Sequence, residues 1–78
     1  MNNPPALSVI IPALNEAATI QATLRSLAPT EAMEIIVVDG GSADCTPTLA
    51  RAAGARVLAS PRGRARQQNL GAAAASGD

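Results

Sequence analysis

The 78-residue sequence has no phenylalanine, tyrosine, tryptophan or histidine, and only one cysteine. Without aromatic side chains, the core must be built from Ile, Val, Leu and Ala, each of which buries little area, so we expect marginal stability. A single cysteine excludes an intramolecular disulfide, and the absence of histidine excludes a Cys/His metal cluster. The composition is therefore compatible with the reducing cytosol.

The sequence also lacks an excess of either charge, because six arginines balance six acidic residues. This balance argues against a nucleic-acid or polyanion binder, so any basic site must be local. The apolar run at residues 7–11 is too short for a transmembrane helix or a signal peptide, and no positive charge precedes it. We therefore predict a cytoplasmic protein, and a position at the cytoplasmic face of a membrane stays open.

Residues 35–38 are four consecutive β-branched side chains with no polar face. Such a run is typical of a parallel strand that helices cover on both sides. Asp39 follows where this strand must end, Gly40 and Gly41 permit a tight turn, and Thr46 is the predicted cap of the next helix. In open α/β folds, ligands bind at this carboxyl edge. The sequence therefore predicts that Asp39 lies on the floor of a binding site.

A strand and a helix precede this central unit. Residues 7–11 form another β-branched run, which Pro12 is expected to end. Asn15 is the predicted N-cap of a helix that Pro29 stops.

A third strand and helix follow the central unit. Gly54 is predicted to end a helix in the left-handed conformation, residues 56–60 form a strand, and a helical pattern runs from Gly63 to residues 76–77. Three βα units with right-handed crossovers predict an α/β fold with a three-layer, doubly wound parallel sheet. We expect residues 1–6 to be a loose leader and residues 7–78 to be an incomplete domain.

Three loops should meet at the carboxyl edge of this sheet, namely residues 12–16, 39–46 and 60–66. Their carboxylates accept hydrogen bonds from a base or a ribose, and their arginines match diphosphate oxygens. The mixture predicts a site for a nucleotide with phosphates. The sequence has no G-x-x-x-x-G-K-[ST] loop and no G-x-G-x-x-G after a strand, which argues against an ATPase and against a dinucleotide oxidoreductase.

Three segments together resemble the amino-terminal, nucleotide-binding half of family 2 glycosyltransferases, which have the GT-A fold. They are SVIIPALNE at residues 8–16, EIIVVDGGSADCT at 34–46 and GRARQQNLG at 63–71. The resemblance implies a nucleotide-sugar donor, with a UDP-sugar favoured, an unknown acceptor, and inversion at the anomeric carbon. It also implies that six residues bind or border the nucleotide sugar: Pro12, Glu16, Asp39, Asp44, Arg64 and Arg66.

Within this set, the resemblance implies that Asp39 accepts a hydrogen bond from the base, and that Arg64 matches the family's basic residue better than Arg66. Each assignment has a structural alternative. Asp39 can cap its own turn, Asp44 can cap a helix, and Glu16 can stabilise a helix amino terminus. The arginines can form a solvated face, although positive charge at a helix amino terminus is unfavourable unless an anion lies nearby.

The family's acidic metal motif, catalytic base and acceptor region would follow Asp78. We therefore expect no catalytic or metal-binding residue in this chain, and Mg²⁺ or Mn²⁺ in the complete enzyme, where it neutralises the leaving diphosphate. The chain is expected to be a donor-binding half that is inactive alone. The alternative is a non-catalytic α/β nucleotide-binding module or a truncated, inactive product.

Overall fold

The computed structural model describes residues 7–27 and 33–75. The elements alternate strictly between strand and helix: β1 Leu7–Ala13, α1 Ile20–Ser26, β2 Met33–Asp39, α2 Thr46–Ala52, β3 Arg56–Ala59 and α3 Arg64–Ala74. The strands form one parallel sheet in the order β1-β2-β3. This confirms the α/β prediction and the central position of β2. None of the helices in the described ranges has the length and apolar character needed to cross a membrane.

The helices pack on both faces of the sheet. Ile20 and Leu24 of α1 and Ala50 of α2 form a buried cluster with Val37 of β2. On the other face, α3 approaches so closely that a Cβ on Gly71 would lie 2.5 Å from Ile10 Cγ2. Because successive strand side chains point to opposite faces, these contacts define three layers. The four apolar residues at 35–38 therefore lie between helices, as their lack of a polar face predicts.

β1 continues through Pro12 to Ala13, so the prediction that Pro12 ends the strand is wrong. The Gly40 N–H donates to the Ala13 carbonyl at 2.9 Å, so the backbone polar groups of Ala13 face β2. Successive strand residues direct these groups to alternate sides, and the Pro12 nitrogen therefore faces the outer side of β1. At that position the missing N–H removes no bond between β1 and β2.

α1 begins at Ile20, with Thr19 at the N-cap position, so the prediction that Asn15 caps this helix is wrong. Asn15 instead has φ +52°, in the left-handed region that asparagine tolerates better than most residues. The Glu16 carbonyl accepts the N–H groups of Thr19 at 3.0 Å and Ile20 at 2.8 Å, which closes the turn before the helix. The predicted stop at Pro29 lies outside the described residues.

α2 begins at Thr46 with Cys45 at the N-cap position, one residue before the predicted cap. Its end is as predicted, because Gly54 has φ +95°. The Ala55 N–H donates to the Ala50 carbonyl at 3.1 Å and the Gly54 N–H to Arg51 at 3.0 Å, which is a Schellman ending.

α3 is fixed at its carboxyl end by β3. The Arg56 Nη1 donates to the Ala74 carbonyl at 3.1 Å and lies 3.8 Å from Glu34 Oε2. A cation at the carboxyl end of a helix is favourable for the helix dipole. β3 ends at Ala59, one residue before the predicted end, and the predicted helix end at residues 76–77 lies outside the described ranges.

Candidate functional site

A pocket of about 210 Å³ opens at the carboxyl edge of the sheet, where α3 begins. One wall is the segment that follows β1, and the other is the segment that leads into α3. The lining residues are Pro12, Ala13, Leu14, Glu16, Arg62, Gly63, Arg64 and Gln67. The pocket therefore combines one carboxylate with two guanidinium groups, which come from two of the three loops predicted to meet at this edge; the loop at residues 39–46 contributes no lining residue.

The amino terminus of α3 faces the pocket without a side-chain cap. Gly63 occupies the N-cap position with φ +138°, and the first turn carries no acidic residue. The first N–H groups of a helix lack intrahelical acceptors and attract anions. Arg64 adds positive charge at this already positive helix end. The arrangement is electrostatically unfavourable by itself, and a nearby negative charge would offset it.

The side chain of Gln67 is hydrogen-bonded to both walls of the pocket. Its side chain is buried, and its Nε2 donates to the carbonyls of Ala13 at 3.1 Å and Val38 at 2.8 Å. Its Oε1 accepts the Gly63 N–H at 3.2 Å. One amide thus contacts the last residue of β1, the residue before the last of β2 and the residue before α3.

The loop after β1 is hydrogen-bonded to the loop after β2 through Asn15. The Asn15 N–H donates to Ser42 Oγ at 2.9 Å, and Asn15 Oδ1 accepts the Ala43 N–H at 2.7 Å. Asn15 forms this reciprocal pair while its backbone is in the left-handed conformation described above. The pair is the reason why asparagine at this position is part of the loop contact and not a helix cap.

Thr46 and Asp44 hold the next two residues of the same loop. The Glu16 N–H donates to Thr46 Oγ1 at 2.8 Å, and the Ala17 N–H donates to Asp44 Oδ2 at 3.2 Å. Asp44 Oδ1 accepts the Thr46 N–H at 3.0 Å and also the Thr46 hydroxyl. The backbone of Glu16 is therefore fixed from the α2 side, while its exposed side chain reaches the pocket.

Asp39 is buried and engaged by its own turn. Asp39 Oδ2 accepts the N–H groups of Gly41 at 3.1 Å and Ser42 at 2.9 Å, and Oδ1 accepts the Ser42 hydroxyl. Asp39 therefore caps its own turn, which is the structural alternative given above for this residue. A carboxylate has about four acceptor positions, so these three bonds leave capacity for one more donor.

The six predicted binding residues are divided by the structure. Pro12, Glu16 and Arg64 line the pocket, whereas Asp39, Asp44 and Arg66 do not. Asp39 pairs in register with Ala13 and continues the strand face of Val37, toward α1 and α2. Arg66 is exposed on α3.

Sequence reasoning did not select Gln67 or Arg62. Arg62 lies one residue before Gly63 and is one of three arginines at residues 62–66, with no motif that distinguishes it. The position of Gln67 could have been predicted from its spacing. It is four residues before Gly71, so the two residues lie on the same face of the helix. A polar residue on the face that glycine brings against a sheet must find buried partners.

The pKa of Asp44 is lowered from 3.8, mainly by the side-chain hydrogen bond from Thr46, with backbone donors adding to the effect. A depressed pKa in the folded state means that the ionised group stabilises the fold fully above pH 3.8. This contribution is lost as the pH falls through the lower, folded-state pKa.

We therefore expect the Glu16 and Ala17 amides to lose protection, measured relative to their intrinsic exchange rates, as the pH falls below 3.8, because protonation of Asp44 weakens the contacts that hold this loop. Hydrogen exchange measured as a function of pH tests this, with Asp44→Asn as the matched variant. The exchange step in this range should disappear in Asp44→Asn, and a step of unchanged size would contradict the assignment.

The described residues do not fit a divalent cation. No group of three or more His, Cys, Asp or Glu side chains in the described ranges is placed to hold one. The carboxylates of Asp39 and Asp44 are both occupied by loop donors. The pocket itself carries a single carboxylate, that of Glu16, beside the guanidinium groups of Arg62 and Arg64.

Comparison with known proteins shows which family the sequence resembles. The sequence model of Glycosyl transferase family 2 matches residues 8–78. Glucosyl-3-phosphoglycerate synthase of Mycobacterium tuberculosis is 47% identical over 55 residues, which are 67% of this chain and 17% of that protein. The same figures hold for the synthase of Mycobacterium bovis.

Solved structures of the M. tuberculosis synthase have the same fold. One matches with a TM-score of 0.83 at 37% identity and covers 95% of this chain and 32% of that chain. Another, a complex with Mn²⁺, uridine diphosphate (UDP) and glucosyl-3-phosphoglycerate, matches with a TM-score of 0.73 at 33% identity and covers 91% and 30%. The chain thus spans about a third of the length of these structures. It belongs to glycosyl transferase family 2, whose GT-A fold its three parallel βα units share.

Proposed function

We propose that this chain binds the nucleotide portion of a nucleoside diphosphate sugar, and that the complete protein transfers the sugar to an acceptor. The observation that carries the proposal is the pocket at the carboxyl edge, with Glu16 on one wall and Arg62 and Arg64 on the other. Its position agrees with the ligand-binding edge of open α/β sheets.

The groups in the pocket match the parts of a nucleotide. Arg62 and Arg64 supply forked donors for diphosphate oxygens, and the uncapped start of α3 favours the same anion. Glu16 accepts hydrogen bonds from ribose hydroxyls or a base. Pockets that enclose drug-sized ligands have volumes of about 300–1,000 Å³, so the 210 Å³ seen here suits part of the donor and not all of it.

UDP is the favoured nucleotide. Complexes of the M. tuberculosis synthase contain UDP or UDP-glucose, together with Mn²⁺ and phosphoglyceric acid. By extension, we propose a UDP-sugar donor here and leave the sugar and the acceptor open. We extend the proposal to three residues outside the pocket lining: Asp39, whose remaining acceptor position would take a donor of the base, and Asp44 and Arg66, which would border the bound nucleotide. The cation, Mg²⁺ or Mn²⁺, belongs to the complete enzyme, with ligands outside residues 7–27 and 33–75.

Calorimetry with UDP and guanosine diphosphate tests the proposal. We expect UDP to bind, and Arg64→Ala to weaken its affinity about 10- to 100-fold, the size expected when hydrogen bonds to a charged group are lost. Arg51→Ala is the matched control, because Arg51 is also exposed and lies in the last turn of α2, outside the pocket lining.

Two results would contradict the proposal. One is the absence of binding heat with either nucleotide from protein that is folded by circular dichroism. The other is an equal loss in Arg51→Ala, which would show that the net charge of the chain and not the pocket attracts the nucleotide.

A further inference from the structure

We propose that Gln67 is a positioning residue that sets the separation between the two walls of the pocket, and that Gly40 provides the space for its amide. The expected effect of Gln67 on UDP binding rests on the proposed function. The structural part of the inference, the fixing of the segment before α3, does not depend on any ligand.

The hydrogen bonds of Gln67 reach three separate segments. Both donors of Nε2 are used, by the Ala13 carbonyl at the end of β1 and the Val38 carbonyl in β2. Oε1 accepts the N–H of Gly63, which lies between Arg62 and Arg64. The amide therefore connects the segment that carries Glu16 to the segment that carries both arginines.

The local chemistry favours glutamine over similar side chains. Gln67 is 4% exposed, so its amide needs partners, and all three are backbone groups, two of them in residues that line the pocket. An apolar side chain would leave two carbonyls and one N–H without this partner. A glutamate would place a second oxygen against the carbonyls of Ala13 and Val38, where only a donor is favourable.

The absence of a side chain at Gly40 leaves the space that the Gln67 amide occupies. A Cβ on Gly40 would lie 2.7 Å from Gln67 Oε1 and 2.9 Å from its Cδ. A contact of this kind is tolerated easily only when the side chain can move away. Gln67 cannot move without losing its three hydrogen bonds, so a methyl group on Gly40 should displace the amide from the walls.

The test compares Gln67→Met with Leu24→Ala in the purified protein. Leu24 is buried on the opposite face of the sheet, so its truncation lowers stability without touching the pocket. We expect Gln67→Met to weaken UDP binding about 10-fold, equivalent to one or two ordinary hydrogen bonds. Leu24→Ala should leave the dissociation constant unchanged at temperatures where both variants are folded.

Hydrogen exchange provides the readout that needs no ligand. In Gln67→Met, the Gly63 amide should exchange at least about 10-fold faster relative to the Val37 amide of the central strand, because its acceptor is lost. In Leu24→Ala, the ratio of the two rates should stay near that of the wild-type protein. An unchanged ratio in Gln67→Met would overturn the proposal whether or not UDP binds.

A double-mutant cycle tests the pairing with Gly40. Gly40→Ala should raise the Gly63 exchange rate in the wild-type background but add little in a Gln67→Ala background, where the clashing amide is absent. Additive effects would refute the pairing. Wild-type protein that fails to bind UDP, with the exchange results as expected, would refute the proposed function alone. UDP binding equal in wild type and Gln67→Met would refute the positioning role alone.

Discussion

Replacing Asp39 with alanine is expected to lower the free energy of unfolding by about 1.5–3 kcal/mol, the range for hydrogen bonds to a charged group. The carboxylate accepts the N–H groups of Gly41 and Ser42 and the Ser42 hydroxyl, so its removal releases the turn after β2. We also expect UDP binding to weaken about 100-fold, because the proposed bond to the base is lost together with this turn. Chemical denaturation and calorimetry measure the two effects.

Ser42→Ala separates the two roles of Asp39. This substitution removes the hydroxyl that contacts Asp39 and that accepts the Asn15 N–H, but it keeps the carboxylate. We expect it to lower stability and to leave UDP affinity within about threefold of wild type, a difference of less than 1 kcal/mol. If Ser42→Ala and Asp39→Ala weaken UDP binding equally, Asp39 acts only through the turn, and the proposed contact with the base is wrong.

Replacing Gly71 with leucine is expected to destabilise the protein by about 3 kcal/mol or more, at the upper end of the range for overpacking. Even a Cβ alone at this position would lie 2.5 Å from Ile10 Cγ2 and 3.0 Å from Val38 Cγ2. A chain of this length has a total stability of about 4–12 kcal/mol. The substitution should therefore remove about a quarter to three quarters of this stability, or push α3 off the sheet.

Gly71→Ala gives the graded comparison. Helix propensity favours alanine over glycine by about 1 kcal/mol, whereas the close contact with β1 opposes it by about 1–3 kcal/mol. We expect a net loss of stability that is smaller than for leucine and that disappears when Ile10→Ala removes the contacted methyl. Thermal unfolding measures the series. A stabilising Gly71→Ala in the wild-type background would show that α3 packs farther from the sheet.

Much of the fold could be predicted because its signals are local. The β-branched run at 35–38 indicated a doubly covered central strand, and Gly54 indicated the left-handed helix end; both are confirmed. The predictions for Pro12 and Asn15 are wrong, although they were based on signals that are equally local. Each carries a strong local preference, to end a strand or to cap a helix, and here each position is decided by a neighbouring strand or loop.

The candidate site was predictable as a location and only partly as a set of contacts. The order of three βα units brings the loops with Glu16 and Arg64 to one edge, because parallel strands share their carboxyl ends. Whether a carboxylate there faces a ligand or its own loop depends on donors that the sequence does not position. Asp44 illustrates this, since its partner Ala17 lies 27 residues away.

The sequence by itself determined the alternation of strands and helices, the parallel sheet and the charge of the edge where the loops meet. These follow from side-chain shape, turn chemistry and the order of elements. Only the tertiary structure decided that Asp39 and Asp44 hold loops, and that Gln67 connects residues 54 and 29 positions away. A hydrogen bond over such a separation depends on how closely α3 packs, and the absence of a side chain at Gly40 and Gly71 sets that distance.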